Sequence, residues 1–243
     1  MSTSHDRHSR RALRAASAAA LGLLLSVPAT AATGRIEGSV TVGRQLLARH
    51  ASLRLYPEPT QPPAVQEPPS LIAELKNVVV YLQSVPSGAA PANPARGPFL
   101  IEQKGLEFEP HVLAVPRGAT VEFPNRDLVF HNVFSLSKAS SFDLGRYPSG
   151  SAKSVRFDDP GLVRVFCHIH SDMTAVVLVL PNPFFTTPSQ DGRFVLDGIP
   201  PGEYEVVAWH ERARLLTKTI RIEAGKATSL DFVIPLSESR EGG

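Results

Sequence analysis

Short β-branched or alternating runs, separated by proline and glycine turns, recur along almost the whole chain. Asn77–Gln83 and Thr174–Leu180 are nearly continuous apolar runs, whereas Arg35–Val42 alternates between apolar and polar residues. The chain also holds 22 prolines, which interrupt helices and favour loops and strand ends. This pattern predicts an all-β protein of short strands arranged in sandwiches, and it argues against long helices.

Residues 1–31 have the pattern of a secretory signal. A basic start, with arginines at positions 7, 10, 11 and 14, precedes an apolar run over 15–27, and Ala29–Ala31 is a small-residue cleavage site. The apolar run is too short to span a bilayer, so we expect export to a bacterial periplasm, with a retained membrane anchor as the alternative. Ser9–Leu13 resembles part of a twin-arginine signal, so the Sec and Tat routes both stay open.

Composition excludes several kinds of site and partner. A single cysteine in 243 residues rules out an intrachain disulfide, a four-cysteine zinc site and iron–sulfur clusters. A formal net charge of +2 is too small to indicate nucleic-acid binding. No apolar stretch after the signal approaches membrane length, so no membrane span is expected in the mature chain.

The pattern of strands and turns changes twice along the chain, and this predicts two domains, one inserted into the other. Residues 32–95 hold simple strands and a proline-rich loop over 57–70, and similar strands return over 182–238 before a tail at 239–243. Each group alone is too small for a good sandwich. We therefore expect one outer β-sandwich built from both groups, with residues 96–181 inserted as a second sandwich.

Cys167, His170 and Met173 are three residues apart in a loop between two apolar strands. In a turn with about three residues per repeat, side chains at this spacing converge on one side. Thiolate, imidazole and thioether form the soft and borderline ligand set that suits copper. His131 is the best candidate for a further ligand, because two histidines and a cysteine with a weak axial methionine form a blue-copper site.

The neighbours of these residues extend the predicted site. His168, directly after the cysteine, is a possible alternative ligand or an exposed port for protons or electrons. Asn132 is expected to bridge through its amide to the backbone beside Cys167 and to hold two loops together. Three aromatic rings are expected to surround the metal and tune its potential; they are Phe130, Phe134 and Phe166.

Several motifs over residues 99–181 resemble those of a cupredoxin, in the short-loop form seen in amicyanins rather than in plastocyanin. They are Phe108-Glu109-Pro110, Val115–Phe123 with its Arg117-Gly118 turn, Asn125, His131-Asn132 and the Cys-x2-His-x2-Met loop. The resemblance implies a Greek-key sandwich that binds one copper ion, cycling between Cu(I) and Cu(II). It implies His131, Cys167 and His170 as equatorial ligands and Met173 as the axial ligand.

The flanking segments resemble a different sandwich. Asp191–Leu196 and Ile199–Tyr204, with Gly38–Val40 as a first strand, look like a carboxypeptidase-regulatory-like or transthyretin-like (prealbumin-like) domain. The whole arrangement is similar to exported cupredoxin-containing proteins of the methylamine utilization type. That resemblance implies a redox partner, such as a c-type cytochrome or a periplasmic dehydrogenase or oxidase.

These observations predict a periplasmic copper protein that carries single electrons and is not an enzyme, since four protein ligands leave no open position for a substrate. Three alternatives stay open. The first is a copper chaperone or reservoir without an electron-transfer role, and the second is a structural sandwich with a vestigial metal loop. The third is a copper oxidase or nitric-oxide-reactive centre whose site is opened by His168 or Asp172.

Overall fold

The computed structural model describes residues 32–43, 74–91, 94–95 and 97–234. Within these ranges every regular element is a β-strand, apart from a helical turn at Glu74–Leu75, which confirms the all-β prediction there. None of these residues belongs to a helix long and apolar enough to cross a membrane. The predicted signal 1–31, the proline-rich loop 57–70 and the tail 239–243 lie outside the described residues.

The strands are short, as the turn spacing predicts. They are β1 Gly34–Val42, β2 Val79–Leu82, β3 Phe99–Leu100, β4 Glu102–Lys104, β5 Glu107–Glu109, β6 Val112–Pro116, β7 Ala119–Pro124, β8 His131–Ser137, β9 Ser140–Tyr147, β10 Ala152–Phe157, β11 Gly161–Phe166, β12 Thr174–Leu180, β13 Phe185–Thr186, β14 Arg193–Ile199, β15 Gly202–Trp209, β16 Leu216–Ile222, β17 Ala227–Ser229 and β18 Phe232–Ile234.

Strands from both ends of the described chain share one pair of sheets. In the first sheet β1 pairs antiparallel with β14 and parallel with β17 and β18, and the second sheet has the order β13-β2-β15-β16. An apolar core that includes Ile36, Leu82, Phe194 and Phe232 fills the space between them. This pairing is compatible with an outer sandwich made from two separate segments, whose boundaries stay predictions.

The middle segment forms the other pair of sheets. One has the order β6-β12-β11-β8-β9 and the other the order β10-β7-β3, while β4 and β5 form a separate hairpin. The core between them includes Phe123, Phe157, Val165, Cys167 and Met173. The candidate metal loop therefore begins inside the apolar interior of this sandwich rather than on its surface.

A third apolar layer joins the two sandwiches. Alternate residues of β12 take part in different cores: Val177 packs among β7, β8 and β11, whereas Val176 and Leu178 pack with Val79 of β2 and Trp209 of β15. A strand buried on both faces needs apolar residues at every position, which explains the unbroken apolar run of β12. The four larger sheets thus enclose three apolar layers, and the loop that follows β11 is anchored in one of them through Cys167 and Met173.

Candidate metal centre

The candidate ligand loop spans residues 167–173 and connects β11 to β12. Two backbone hydrogen bonds close it: Cys167 N donates to Met173 O at 3.3 Å, and Met173 N donates to His170 O at 3.1 Å. Because β11 and β12 are paired up to Phe166 and Thr174, the two ends of the loop are held side by side. The loop that carries the closely spaced candidate ligands is therefore a tight turn.

Three of the predicted ligands come together at this turn. The Nδ1 atoms of His131 and His170 are 3.1 Å apart, and Cys167 Sγ lies 4.0 Å and 3.9 Å from them, respectively. Two facing imidazole nitrogens at this distance need a shared proton or a cation between them, because their lone pairs repel. Nitrogen and sulfur ligands stand about 2.0–2.3 Å from a metal ion, so donor atoms at these separations fit a single ion.

Burial distinguishes the members of this His131–Cys167–His170 cluster. His131 is fully buried and Cys167 nearly so, whereas His170 is partly exposed. Met173 is buried in the same apolar core as Cys167, one loop turn from His170. The donor set and its burial fit a copper ion, while the axial position of the Met173 thioether stays a prediction.

Asp127 holds the ring of His131 from the side opposite the cluster. Its Oδ2 lies 2.8 Å from His131 Nε2, and its carboxylate also accepts hydrogen bonds from Gly105 N at 2.6 Å and Leu106 N at 3.0 Å. Burial, the largest single effect, raises the pKa of Asp127, but these three hydrogen bonds outweigh it and leave the pKa below its ordinary value. Sequence reasoning missed Asp127, although a carboxylate four residues before a predicted ligand was a usable signal.

Asn125 organises the loop between β7 and β8 that carries these groups. Its buried amide donates to Val129 O at 2.8 Å and to Tyr147 O at 3.2 Å, and its Oδ1 accepts from Asp127 N at 3.0 Å. The last contact is an Asx-type turn, which fixes the backbone at Asp127. The Asn125 motif thus acts on the site through the position of Asp127.

Asn132 does not make the bridge predicted for it. Its Nδ2 donates to Asp143 Oδ1 at 2.6 Å, so the amide links β8 to β9 rather than to the backbone beside Cys167. The side-chain Oδ1 of Asn132 is buried and has no hydrogen-bond partner among the described residues. Successive residues of a strand point to opposite faces, so Asn132 points away from the side on which His131 meets the cluster.

Phe166 and His168 lie on the face of the sheet away from the cluster, so Phe166 does not line the metal site as predicted. Adjacent residues of a strand point to opposite faces, and Val165 and Cys167 point into the core. The ring of Phe134 stacks 3.7 Å from that of His168 and lies 5.8 Å from that of Phe166. This outer stack accounts for His168, which is exposed and outside the cluster that could hold a metal.

A further group of apolar side chains is exposed next to the candidate ligands. Leu128 is 96% exposed, Phe130 is 56% exposed and Ile169 is 39% exposed. Phe130 and Ile169 directly precede His131 and His170, respectively. Phe130 therefore contributes to the surface beside the site and not to an apolar surround of the metal.

Neither a scan against protein-family models nor a search of curated proteins finds a match for this chain. Among solved structures, a reduced Cu(I) amicyanin variant is 24% identical over 41% of this chain and 97% of its own, with a TM-score of 0.33. A purple cupredoxin from Nitrosopumilus maritimus is 22% identical over 33% of this chain and 98% of its own, with a TM-score of 0.31.

A copper-containing nitrite reductase from Thermus scotoductus is also similar, at 28% identity over 40% of this chain, with a TM-score of 0.33. The match spans only 25% of that reductase. Cupredoxins are thus among the solved structures that this all-β chain resembles, as its motifs predicted. At these TM-scores the likenesses carry no functional argument, and the case for a metal rests on the donor atoms of His131, Cys167 and His170.

Proposed function

We propose that this chain is an exported copper protein that carries single electrons between redox partners. The observation that carries the proposal is the convergence of one thiolate and two imidazole donors within 4.8 Å of one another. Soft thiolate and borderline imidazole donors in a site of low coordination number favour copper over magnesium or calcium, which prefer oxygen. Met173 then supplies the weak fourth donor from the same loop.

The surroundings of the cluster favour electron transfer over substrate chemistry. His131 is the first residue of β8, and the other candidate ligands lie in the loop between the paired strands β11 and β12, which its own backbone hydrogen bonds close. The donor positions are therefore fixed before a metal arrives. A bound copper ion supplies the change between Cu(I) and Cu(II). A rigid, buried ligand set changes little with that step, which lowers the reorganisation that accompanies transfer.

The partly exposed edge of His170 is the proposed route for the electron. Ile169 beside it and Leu128 and Phe130 beside His131 offer an apolar surface on which a redox protein can dock without strong charge pairing. The proposed partner is a c-type cytochrome or a periplasmic dehydrogenase or oxidase. The export and the periplasmic location are proposed from the signal pattern of residues 1–31.

The test is a titration of the mature protein with Cu(II), followed by visible and electron-spin-resonance spectra. The expected result is one equivalent of copper, an intense thiolate band and narrow copper hyperfine splitting, followed by reversible one-electron reduction and transfer to a c-type cytochrome. The absence of a band with a still titratable thiol would contradict the proposal and support a structural module. A bound copper that passes to an acceptor without electron transfer would indicate a chaperone or reservoir.

Two histidine variants serve as a matched pair in that test. His170→Gln removes a donor of the cluster and should abolish the thiolate band or change it strongly. His168→Gln removes only a ring stacked on Phe134 and should leave the spectrum unchanged. A spectral shift of the wild-type protein with azide would instead indicate an open coordination position and an oxidase-like site.

A further inference from the structure

Asp127 lies in the loop between β7 and β8 and is held more tightly than a turn requires. Its carboxylate receives three N–H groups: the backbone N–H of Gly105 at 2.6 Å and of Leu106 at 3.0 Å, and the ring Nε2 of His131 at 2.8 Å. An ionised carboxylate only accepts hydrogen bonds, so a His131 ring that holds a single proton must hold it on Nε2. The lone pair is then on Nδ1, the atom that faces the cluster.

We propose that Asp127 is a positioning residue that fixes His131 as an Nδ1 ligand and lowers the reduction potential of the copper site. The proposal rests on the copper function proposed above and adds a regulator of the potential within the same site. A hydrogen bond from the far ring nitrogen to a carboxylate orients a ligating imidazole and makes it more basic. A more basic ligand stabilises Cu(II) more than Cu(I), because Cu(II) carries the larger charge.

The hairpin of β4 and β5 keeps Asp127 in place. Gly105 and Leu106 form the tip of this hairpin, both with positive φ angles, of 67° and 61°. That conformation turns two successive N–H groups toward the same carboxylate, as in other anion-binding turns. Arg126 adds a second connection, since its Nε lies 3.0 Å from Glu102 Oε1 on β4. The carboxylate therefore cannot swing away from His131 without breaking two backbone hydrogen bonds.

The test compares Asp127→Asn with Glu102→Gln. Both remove one negative charge and weaken the contact between the hairpin and the β7–β8 loop, but only the first changes a group that touches His131. We expect Asp127→Asn to weaken Cu(II) binding about tenfold more than Cu(I) binding, within the range for losing such a partner. A tenfold difference corresponds to a rise of about 59 mV in the one-electron potential. Glu102→Gln should leave the potential unchanged.

A second readout does not depend on copper. Nitrogen-15 spectra of the histidine rings in the metal-free protein report which nitrogen of His131 carries the proton. The wild type should show a single Nε2–H tautomer at His131, and Asp127→Ala should show a mixture, in a protein whose folded state is checked by its backbone amide spectrum. Asp127→Asn keeps one acceptor oxygen and should fall between these two.

The outcomes separate the two proposals. If the wild type binds no copper, the proposed function fails, and the tautomer of His131 in the metal-free protein alone decides the role of Asp127. If copper binds but Asp127→Asn and Glu102→Gln have the same potential, or if Asp127→Ala keeps a single tautomer, Asp127 is not a positioning residue. A raised potential in Asp127→Asn alone, together with a mixed tautomer in Asp127→Ala, would establish the proposal.

Discussion

His131 and His210 are both buried histidines that contact a carboxylate, but their remaining ring nitrogens meet different neighbours. His131 Nε2 lies 2.8 Å from Asp127 Oδ2, and His210 Nε2 lies 3.1 Å from Glu74 Oε2. The Nδ1 atom of His210 accepts a hydrogen bond from its own loop, from Arg212 N at 3.2 Å. The Nδ1 atom of His131 instead faces two further donor groups, from His170 and Cys167.

The difference shows that a buried carboxylate–histidine pair is not by itself a sign of function. At His210 the pair is complete, because Arg212 Nη2 lies 2.5 Å from Glu74 Oε1 and balances its charge. At His131 the pair leaves the Nδ1 atom facing the sulfur of Cys167 and a second imidazole, that of His170. What the second ring nitrogen meets decides whether the histidine holds the fold together or is available to a metal.

The largest expected effect comes from breaking the donor cluster at Cys167. Cys167→Ser replaces the thiolate with a hydroxyl, which is a poor copper ligand, and should abolish the intense visible band. Copper binding should weaken by more than the roughly 100-fold that loss of an outer partner causes. Copper titration monitored by visible absorption measures both effects. Ser171→Ala, in the same loop, is the control, and a band that survives in Cys167→Ser would contradict the assignment.

The next largest effect concerns Glu74, which pairs with His210 and Arg212. Glu74→Gln leaves Arg212 and His210 without their carboxylate and should lower the free energy of unfolding by about 3 kcal/mol, as for a buried ion pair that loses one partner. Urea unfolding of the metal-free protein measures the change, and the copper spectrum should stay as in the wild type. Glu223→Gln, in an exposed pair with Lys226, is the control and should change little. If Glu74→Gln has the stability of the wild type, or an altered copper spectrum, then the His210 pair does not have the purely structural role that distinguishes it from the His131 pair.

A smaller effect is expected at the axial position. Met173→Gln replaces the thioether with an amide oxygen, a harder donor that favours Cu(II), so copper should stay bound and the reduction potential should fall. Each tenfold change in the relative affinity for the two oxidation states shifts the potential by about 59 mV. Voltammetry measures the shift. An unchanged spectrum together with an unchanged potential would show that Met173 only packs in the core.

The smallest effect concerns His111, whose Nε2 lies 2.6 Å from Glu211 Oε1 and joins the two sandwiches. The hydrogen bond to Glu211 raises the pKa of His111 above its ordinary value of 6.5, although burial opposes it. Burial, the largest single effect, raises the pKa of Glu211, but the hydrogen bond and charge interaction with His111, together with the nearby Arg164 and His210 side chains, bring the pKa below its ordinary value of 4.5.

The signs of these shifts define a pH window. The His111 contribution is complete below its unfolded pKa and is lost as the pH rises through the raised folded pKa. The Glu211 contribution is complete above its unfolded pKa and is lost as the pH falls through the lowered one. His111→Gln should therefore lower the free energy of unfolding by about 1 kcal/mol between roughly pH 4.5 and 6.5, and by less at higher pH. Urea unfolding over this pH range measures the difference in the free energy of unfolding between the wild type and His111→Gln. A difference that does not vary with pH would contradict a charged pair between His111 and Glu211.

Much of the fold follows from local patterns that act over a few residues. Thr174–Leu180 is predicted and found as a strand with the same bounds, because a short apolar run rich in β-branched residues favours a buried strand. Ser140–Tyr147 is not predicted as a strand, because its serine, aspartate and glycine residues are typical of turns. It forms the edge strand β9 through its pairing with β8, where one face stays exposed.

In the candidate site, too, some features follow from local sequence patterns and others depend on contacts between distant residues. The spacing of Cys167, His170 and Met173 predicts the candidate ligand loop, and strand alternation alone was sufficient to place Phe166 on the opposite face. The contact between Asp127 and the hairpin tip at Gly105 and Leu106 joins residues more than 20 positions apart, and it carries no local signature. The partner of the Asn132 amide, Asp143 on β9, depends on how β8 and β9 pair, which the sequence pattern does not show.

The sequence by itself determined the all-β class, the positions of most strands and the type of donor atoms that the 167–173 loop offers, since these depend on side-chain chemistry and on periods of two or three residues. Only the tertiary structure decided that His131 meets His170 and Cys167, that Asp127 holds the far side of the His131 ring, and that β12 is buried on both faces. These features depend on which strands pair and stack. Such pairing is set by the packing of distant segments, which no local pattern encodes.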